Sequence, residues 1–468
     1  MITPTLTIGG KAVPGARSFP VIDPARGTPF ADSPGADESQ VDDAVAAAQR
    51  AFGAWAALTQ EQRRVVLTAA AATIQQSADD LAQLLTQEQG RPLARARDEV
   101  LGVPALLATT ARFELRNELI REDARGRVEL RRKPLGVVAA IATWNYPLMV
   151  AAGKIWPALL AGNTVVLKPS PYTPLSTLRL GELLRDTLPP GVLNVVAGGD
   201  DVGRRLTQHP DVRKISFTGS VPVGKKIMAA AASDLKRITL ELGGNDPAIV
   251  LADADIPKVA KRLFWGAFAN SGQICVAAKR VYVEERVFEP LVEALGSIAR
   301  GVKVGSGFEP DVQLGPVNNR AQYDRVNELL ESARKDGATF VTGGEPLAGD
   351  GYLIAPTLVT GISDGSRLVD EEQFGPALPI VPVRDAEDAL ERANATHFGL
   401  GGSIWTSDRE RGVSLASRLE CGTGWINQHG AFAFEAPFGG CKWSGVGYEN
   451  GPIGLESFTE YQVISEAF

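Results

Sequence analysis

The sequence predicts an α/β fold built from two open lobes, each a mostly parallel sheet covered by helices. Short β-branched runs alternate with helical segments between residues 135 and 252, and a second alternation follows between residues 279 and 427. The length of 468 residues also exceeds what one hydrophobic core usually holds. Two large lobes are therefore expected.

Two helices are expected near the start of the chain, after the strand-like segment "FPVIDPA". In "ESQVDDAVAAAQRAFGAW", apolar residues from Val41 to Trp55 recur three or four positions apart, which places them on one face of a helix. The second helix, "RRVVLTAAAATIQQSADDLAQLLTQEQG", follows a capping-box pattern at Thr59 and Gln62 and ends at Gly90.

The strands are expected in short runs rich in valine and isoleucine. Those of the first alternation are "GVVAAI", "TVVLK", "VLNVV", "RKISF", "RITLEL" and "AIVLA". Those of the second are "KRVYVE", "PALPIVPV", "LGGSIW" and "GTGWIN". Between them, the paired glycines of "ELGGNDPAIV" mark the expected crossing between the lobes, and the tail "SFTEYQVI" is a strand too short to be a domain.

Composition narrows the class of partner. The 48 basic and 55 acidic side chains leave a net charge of −7, so no basic excess exists to displace counterions from nucleic acid or an anionic membrane. The first residues lack the features of a secretory signal, and no apolar stretch approaches the length of a bilayer span. A cytoplasmic protein that binds small molecules is expected.

Three cysteines and three histidines are too few and too scattered for a disulfide framework or a metal site. No metal is therefore expected.

A phosphate-binding turn is visible although the usual G-x-G-x-x-G fingerprint is absent. In "RKISFTGSVPVGKK", a strand leads through Gly219 and Ser220 into a helix whose first turn contains Gly224, an arrangement that can cradle an anion or can be an ordinary strand-to-helix turn. In "TVVLKPSPYTP", Lys168 at the end of a strand can hold ribose hydroxyls or a phosphate, or can be a solvated surface lysine.

Three further residues are candidates for the chemistry. Asn145, between Trp144 and Pro147, can donate to an oxyanion or can cap a turn or helix. Glu241, among apolar neighbours, can be a general base with a raised pKa or an ion-paired strand residue. Cys275 can be a nucleophile or a small packing residue.

Taken together and in this order, these segments resemble the aldehyde dehydrogenase superfamily over essentially the whole chain. The matching motifs are "WNYP" (144–147), "LKPS" (167–170), "FTGS" with Gly224, "LELGG" (240–244), "GQIC" (272–275), "EEQFGP" (371–376), "PFGG" (437–440) and "SGVGYE" (444–449). The resemblance implies an NAD(P)-dependent, non-acylating enzyme. Such an enzyme would oxidise an aldehyde to a carboxylic acid through a thioester.

The resemblance also implies roles for individual residues. Cys275 would be the nucleophile, Glu241 the general base for deacylation, and Asn145 with the Cys275 backbone N–H the oxyanion hole. The other implied catalytic residues are Lys154 and Glu449. The implied cofactor-binding residues are Trp144, Lys168, Ser170, Pro171, Gly219, Ser220, Gly224, Glu372 and Phe374. The implied substrate-lining residues are Tyr146, Gly153, Phe432, Phe434 and Phe438.

Two departures from the family pattern bear on specificity. Gly153 stands where members acting on simple aldehydes often have a tryptophan, and with the phenylalanines of "HGAFAFEAPFGG" it favours a bulky apolar or aromatic aldehyde. Pro171 stands where members strict for NAD often have a glutamate that contacts the ribose, so NAD or NADP is expected as the cofactor.

The same resemblance assigns the domains. A Rossmann-like dinucleotide-binding domain would contain residues 1–115 and 135–243, and the catalytic domain residues 244–443. Residues 116–134 and 457–468 would form a small β arm for oligomerisation, in which the tail pairs with a neighbouring subunit. A homodimer or homotetramer is expected.

Three alternatives remain open at this point. A CoA-acylating dehydrogenase uses the same thioester, but Glu241 favours water as the acceptor. A catalytically silent family member could serve as a binding or structural protein, although Cys275, Asn145 and Glu241 are all present. A cysteine hydrolase without a nicotinamide cofactor would require a histidine partner.

Overall fold

The chain forms two large sheets with helices on their faces, together with a three-stranded sheet and a two-stranded hairpin. The structure is a computed structural model and describes residues 4–345 and 347–468. Within these residues, no helix is long and apolar enough to cross a membrane.

Strands and helices alternate along most of the chain. The strands are β1 (Leu6–Ile8), β2 (Lys11–Val13), β3 (Arg17–Asp23), β4 (Thr28–Gly35), β5 (Glu118–Asp123), β6 (Gly126–Pro134), β7 (Val137–Ile141), β8 (Thr164–Lys168), β9 (Leu193–Val195), β10 (Val212–Thr218), β11 (Arg237–Glu241), β12 (Asp246–Val250), β13 (Ala278–Glu284), β14 (Thr339–Thr342), β15 (Thr357–Thr360), β16 (Ala377–Val383), β17 (Gly401–Trp405), β18 (Thr423–Ile426), β19 (Gly445–Val446) and β20 (Thr459–Glu466).

The helices are α1 (Glu38–Ala57), α2 (Gln60–Gln76), α3 (Ala78–Gln89), α4 (Leu93–Thr110), α5 (Pro147–Leu160), α6 (Leu175–Leu184), α7 (Asp200–Gln208), α8 (Val221–Ala232), α9 (Ile256–Phe268), α10 (Glu285–Gly301), α11 (Arg320–Lys335), α12 (Arg367–Asp370), α13 (Ala386–Asn394), α14 (Arg409–Ala416) and α15 (Gly451–Glu456).

The eight-stranded sheet has the order β19-β11-β10-β7-β8-β9-β1-β2. Strands β7 to β11 are parallel and mostly buried, which explains their continuous apolar runs. The register aligns Ile141 with Lys168 and Thr218 with Glu241. The carboxyl ends of these strands therefore meet at one edge of the sheet, where open α/β sheets bind ligands.

The seven-stranded sheet has the order β14-β15-β16-β13-β12-β17-β18, and β12 and β13 lie at its centre. The chain passes from the first sheet to the second between β11 and β12, at Gly243 and Gly244. The expectation that "AIVLA" continues the first alternation is therefore wrong, because β12 pairs with β13 and β17 instead.

The three-stranded sheet has the order β20-β6-β5. Strand β20 pairs antiparallel with β6 of the same chain over its whole length, from Thr459 opposite Pro134 to Glu466 opposite Arg127. The tail thus has a partner strand within its own chain, and most of its side chains are exposed.

The first helices follow the local signals closely, with one difference. Helix α1 buries the predicted face, and Thr59 forms a capping box with Gln62 through bonds of 2.8 and 3.2 Å. The second expected helix is divided into α2 and α3 at Ser77, whose φ and ψ of −100° and 17° are not helical. Serine has a lower helix propensity than the alanines around it, and Gly90 then ends α3 with φ 99°.

Candidate active site

Cys275 follows a tight segment that leads from α9 into β13. Asn270 and Ser271 both have left-handed backbone angles, with φ of 51° and 56°, which non-glycine residues seldom adopt. Ser271 Oγ donates to Gly315 O at 2.7 Å and helps to hold this conformation. The segment ends with the half-buried Cys275, which is a free thiol.

The side-chain amide of Asn145 is held beside this segment. Its Nδ2 donates to Gln273 O at 2.8 Å, and its Oδ1 accepts from Thr143 Oγ1 at 2.6 Å. This arrangement uses one of the two hydrogens on Nδ2. Among the described residues, the N–H of Cys275 has no acceptor. The second Nδ2 hydrogen of Asn145 and the Cys275 backbone N–H therefore remain available, and Asn145 is not a helix cap.

Glu241 ends β11 as a buried carboxylate that is 3% exposed. Within the described part of the chain, neither of its oxygens has a hydrogen-bond partner, so it is not the ion-paired strand residue considered above. Burial raises its pKa well above the usual range, and the charge of Glu449 adds to this effect. Lys154 acts in the opposite direction.

Lys154 and Glu449 form a buried ion pair close to Glu241. Lys154 Nζ lies 2.5 Å from Glu449 Oε1 and donates to Thr218 Oγ1 at 2.7 Å, and Ser216 Oγ donates to the same glutamate oxygen at 3.3 Å. Gly153 precedes this lysine on α5. In the part of the chain that the structure describes, a Cβ at Gly153 would approach only Glu449 Oε2, at 3.7 Å.

The thiol of Cys275 is set among opposing charges. Burial raises its pKa to about 12, with Lys279 lowering it and Asp246, Glu241 and Glu372 raising it further. Lys279 Nζ donates to the Cys275 carbonyl at 2.6 Å. A nearby cation therefore exists, but burial and the carboxylates outweigh it and the thiol form is favoured.

The aromatic candidates separate into two groups. Phe438 packs with Cys275 against the cluster that contains Trp425, and the Phe432 ring lies 5.1 Å from that of Phe438. Phe434 instead packs against the core of the first sheet. Tyr146, in the Asn145 turn, is half-buried.

Lys168 is 6% exposed and is not a solvated surface lysine. Within residues 4–345 and 347–468, its ammonium group has one acceptor, Pro169 O at 3.2 Å, although it carries three donors. Burial lowers its pKa to about 8, while Asp200 and Asp201 act in the opposite direction. Such an under-bonded buried ammonium suits oxygen atoms of a ligand.

The glycine turn after β10 is packed closely against the first sheet. Gly219 N donates to Glu241 O at 3.0 Å, and the exposed Ser220 directly precedes α8. A Cβ at Gly224 would lie 2.5 Å from the side chain of Leu242, so glycine lets this helix approach β11. The N-terminus of α8 is therefore brought to the ligand-binding edge of the sheet.

Ser170 and Pro171 follow Lys168 in the turn after β8. Ser170 is buried and its Oγ accepts from Tyr172 N at 3.3 Å, whereas Pro171 is half-buried.

Glu372 and Phe374 lie across the crossing between the sheets. Glu372 Oε1 accepts from Gly244 N at 3.0 Å and lies 3.5 Å from Lys279 Nζ. Phe374 has a left-handed φ of 48° and meets Trp144 edge to face at 5.2 Å. Lys279 Nζ lies 5.8 Å from the centre of the Phe374 ring, so both side chains are near the lysine whose charge acts on Cys275.

A sequence model described as the aldehyde dehydrogenase family matches residues 12–464. The chain belongs to the aldehyde dehydrogenase family. The predicted α/β fold and an NAD(P)-dependent aldehyde dehydrogenase enzyme are thereby confirmed.

The sequences of known relatives align with nearly the whole length of this aldehyde dehydrogenase. A probable aldehyde dehydrogenase from Pseudomonas sp is 39% identical over 98% of this chain and 94% of that protein. Retinaldehyde dehydrogenase 3 from Homo sapiens is 38% identical over 96% of this chain and 90% of that protein.

Solved structures of aldehyde dehydrogenases also align with nearly the whole chain. Betaine aldehyde dehydrogenase from Staphylococcus aureus, in complex with NAD+, is 31% identical and has a TM-score of 0.96. The alignment covers 99% of this chain and 94% of that chain. An aldehyde dehydrogenase from Brucella melitensis is 35% identical with a TM-score of 0.96, covering 100% of this chain and 98% of that chain.

Two features of this aldehyde dehydrogenase site were missed by reasoning from the sequence. Lys279 stands four residues after Cys275, at the start of the strand-like run "KRVYVE", and this spacing was the available signal. Arg91 and Glu99 also contact the turn that carries Asn145. No local pattern reveals them, because the contacts join residues about 50 positions apart.

Proposed function

We propose that this enzyme oxidises a bulky apolar or aromatic aldehyde to its carboxylic acid through a thioester on Cys275. One observation carries the proposal: a buried Glu241 carboxylate, without a hydrogen-bond partner among the described residues, acts on the pKa of this thiol, and an Asn145 amide with a free hydrogen is bonded to the backbone two residues before it. A nucleophile, a base and an oxyanion donor are what acyl transfer to water requires.

The cofactor-binding residues fit a dinucleotide. The under-bonded Lys168 ammonium would bind its ribose or phosphate oxygens, the turn at Gly219 and Ser220 its pyrophosphate, and Glu372 with Phe374 its nicotinamide end. When bound, NAD or NADP supplies the acceptor for the hydride.

The residues of the chain would act in two stages. The Cys275 thiolate adds to the aldehyde carbonyl, and the oxyanion accepts hydrogen bonds from Asn145 Nδ2 and the Cys275 N–H. Loss of hydride from this adduct to the bound nicotinamide would leave a thioester on Cys275. Glu241 would then remove a proton from the water that attacks the thioester, and Cys275 would leave as the thiolate when the carboxylic acid departs. The ion pair of Lys154 and Glu449 would pass this proton onward, since both of its charges act on the pKa of Glu241.

The substrate proposal is supported by the lining of the site. A Cβ at Gly153 would meet nothing among the described residues closer than 3.7 Å, while Phe438, which packs against the same cluster as Cys275, and the neighbouring Phe432 offer aromatic surface. One relative is named for retinaldehyde, a large apolar aldehyde. A panel of aromatic and short aliphatic aldehydes should show higher kcat/KM for the former, and Gly153→Trp should reduce that preference. Equal values across the panel would contradict it.

The mechanism is tested by two substitutions with a matched control. Cys275→Ala should abolish aldehyde oxidation and retain NAD binding, whereas Glu241→Gln should accumulate an acyl adduct on Cys275 detectable by mass spectrometry. Cys441→Ala removes another free thiol and should leave the rate unchanged. Oxidation that persists without Cys275 would reject the mechanism, and acyl-CoA formation on adding CoA would favour the acylating alternative.

We also propose that the enzyme works in the cytoplasm as a homodimer or homotetramer. Its three cysteines are free, as is usual in a reducing compartment. The three-stranded sheet exposes apolar side chains that a second subunit would cover.

A further inference from the structure

The turn that carries Asn145 is held by helix α4, and not only by helix α5, which follows it in the chain. Helix α5 begins just after this turn, and among the described residues its N-cap position, Tyr146, provides no side-chain cap. Glu99 of α4 replaces it, because Glu99 Oε1 accepts from Leu148 N at 3.0 Å and from Met149 N at 3.1 Å. A carboxylate thus satisfies two free N–H groups at the positive end of α5.

Arg91 binds the other side of the same turn. Its Nη1 lies 2.5 Å from Glu99 Oε2, and both side chains are at most 2% exposed. Its Nη2 donates to the backbone carbonyl of Asn145, and its guanidinium lies 4.1 Å from the centre of the Tyr146 ring. Gln89 accepts from its Nε at 2.8 Å. The planar guanidinium therefore fixes the turn through several contacts at once.

From these contacts we infer that Arg91 and Glu99 form a positioning pair for the oxyanion-binding amide of Asn145. The pair holds the main chain on both sides of this residue, while Gln273 O holds its side chain. The second Nδ2 hydrogen, which has no acceptor among the described residues, then belongs to an amide fixed to the backbone two residues before Cys275. This inference rests on the proposed oxyanion role of Asn145.

A purely structural role accounts less well for the pair. Burying two charges costs desolvation free energy, so a buried ion pair contributes little net stability compared with apolar packing. A fork-shaped donor that reaches a carbonyl, a carboxylate and an aromatic ring at once contributes geometric precision instead.

The first test compares Arg91→Gln with Arg63→Gln. Arg63 is also buried and also holds α5, but at its far end, where it donates to Leu160 O at 2.9 Å and to Leu58 O. Arg91→Gln should lower kcat for aldehyde oxidation about 10- to 100-fold, in the range of a weakened oxyanion donor, with the KM for NAD nearly unchanged. Arg63→Gln should lower the Tm comparably and leave kcat within about threefold.

Alkylation of Cys275 by iodoacetamide separates positioning from general damage to the site. This displacement forms no oxyanion. The rate of Cys275 alkylation in Arg91→Gln should therefore stay within about threefold of the rate in the enzyme without substitutions. Arg91→Lys keeps the charge without the fork and should give an intermediate kcat, which also provides a result if the glutamine variant does not fold. Loss of alkylation in parallel with kcat would overturn the inference.

A double-mutant cycle with Asn145→Ala decides whether Arg91 acts through this amide. If it does, adding Arg91→Gln to Asn145→Ala should cost less than twofold more in kcat. Independent, multiplicative effects would reject the positioning role. An Asn145→Ala variant with normal kcat would instead reject the proposed oxyanion hole, so the two failures are distinguishable.

Discussion

At the scale of single residues, the protonation of Cys275 is set by its surroundings. Burial and three carboxylates raise the thiol pKa from 9.0 to about 12 against the effect of Lys279. Because the thiolate is the nucleophile and is scarce below this pKa, iodoacetamide labelling of Cys275 should accelerate about tenfold per pH unit from pH 7 upward. Mass spectrometry of the Cys275 peptide measures the labelling rate at each pH. A labelling rate independent of pH would contradict the raised pKa of the thiol.

A substitution at Lys279 tests how far one nearby cation lowers the pKa of the Cys275 thiol. Lys279→Met removes the charge that lowers the thiol pKa, so labelling of Cys275 at a fixed pH should slow several-fold. Lys258 is an exposed lysine paired with Asp255 at 2.7 Å, and Lys258→Met should have no effect. Equal labelling rates in both variants would show that the carboxylates and burial act alone.

The cofactor preference also depends on single residues. Pro171 provides neither an acceptor nor a charge, so we expect NADP to be used alongside NAD, even though Asp200 and Asp201 act on the charge of Lys168. Arg17 pairs with Asp201 at 2.6 Å and offsets part of that negative charge. Comparing kcat/KM for the two cofactors should show a ratio below about a thousandfold, and Pro171→Glu should shift it towards NAD.

If kcat/KM for NAD exceeds that for NADP by more than about a thousandfold in the enzyme without substitutions, the expected use of NADP is rejected. Asp200→Asn would then identify the source of the discrimination, because removing that carboxylate should restore the use of NADP.

At the scale of elements, two helical glycines with different surroundings test how α8 reaches β11. A Cβ at Gly224 would lie 2.5 Å from Leu242, whereas nothing among the described residues lies within 4 Å of a Cβ at Gly53 in α1. Gly53→Ala should therefore stabilise the protein by about 0.5–1 kcal/mol. Gly224→Ala should destabilise it and weaken NAD binding, because α8 must move away from the sheet.

Denaturant unfolding and calorimetric titration with NAD measure these two effects. Two alanine variants that behave alike would show that the close approach of α8 is unimportant.

At the scale of the whole molecule, the exposed faces of β20 and β5 suggest how subunits associate. Tyr461 and Val463 are each 60% exposed, and Ile120 is 56% exposed. Val463→Lys should lower the mass measured by light scattering towards that of one chain, because a charge would be buried in the contact. Val65 on α2 is 63% exposed, and Val65→Lys should leave the mass unchanged. A single-chain mass for the unmodified protein would reject the proposed oligomer.

Several features were determined by the sequence alone. Apolar periodicity predicted α1, β-branched runs predicted the central strands, and Thr59, Gln62 and Gly90 marked the ends of helices. The ordered motifs also indicated the family, which the comparisons confirmed. These features depend on residues close together in the chain, so local propensity and spacing are sufficient to reveal them.

Other features were decided only by the tertiary structure. Whether Glu241 is ion-paired, whether Lys168 is exposed, and which sheet receives β12 all depend on what packs around each residue. Lys154 meets Glu449 across 295 positions of sequence, and Arg91 meets the turn at Asn145 across 54. Burial and hydrogen bonding are properties of the surrounding atoms in space, so the protonation and orientation of the reacting groups appear only once distant segments are brought together.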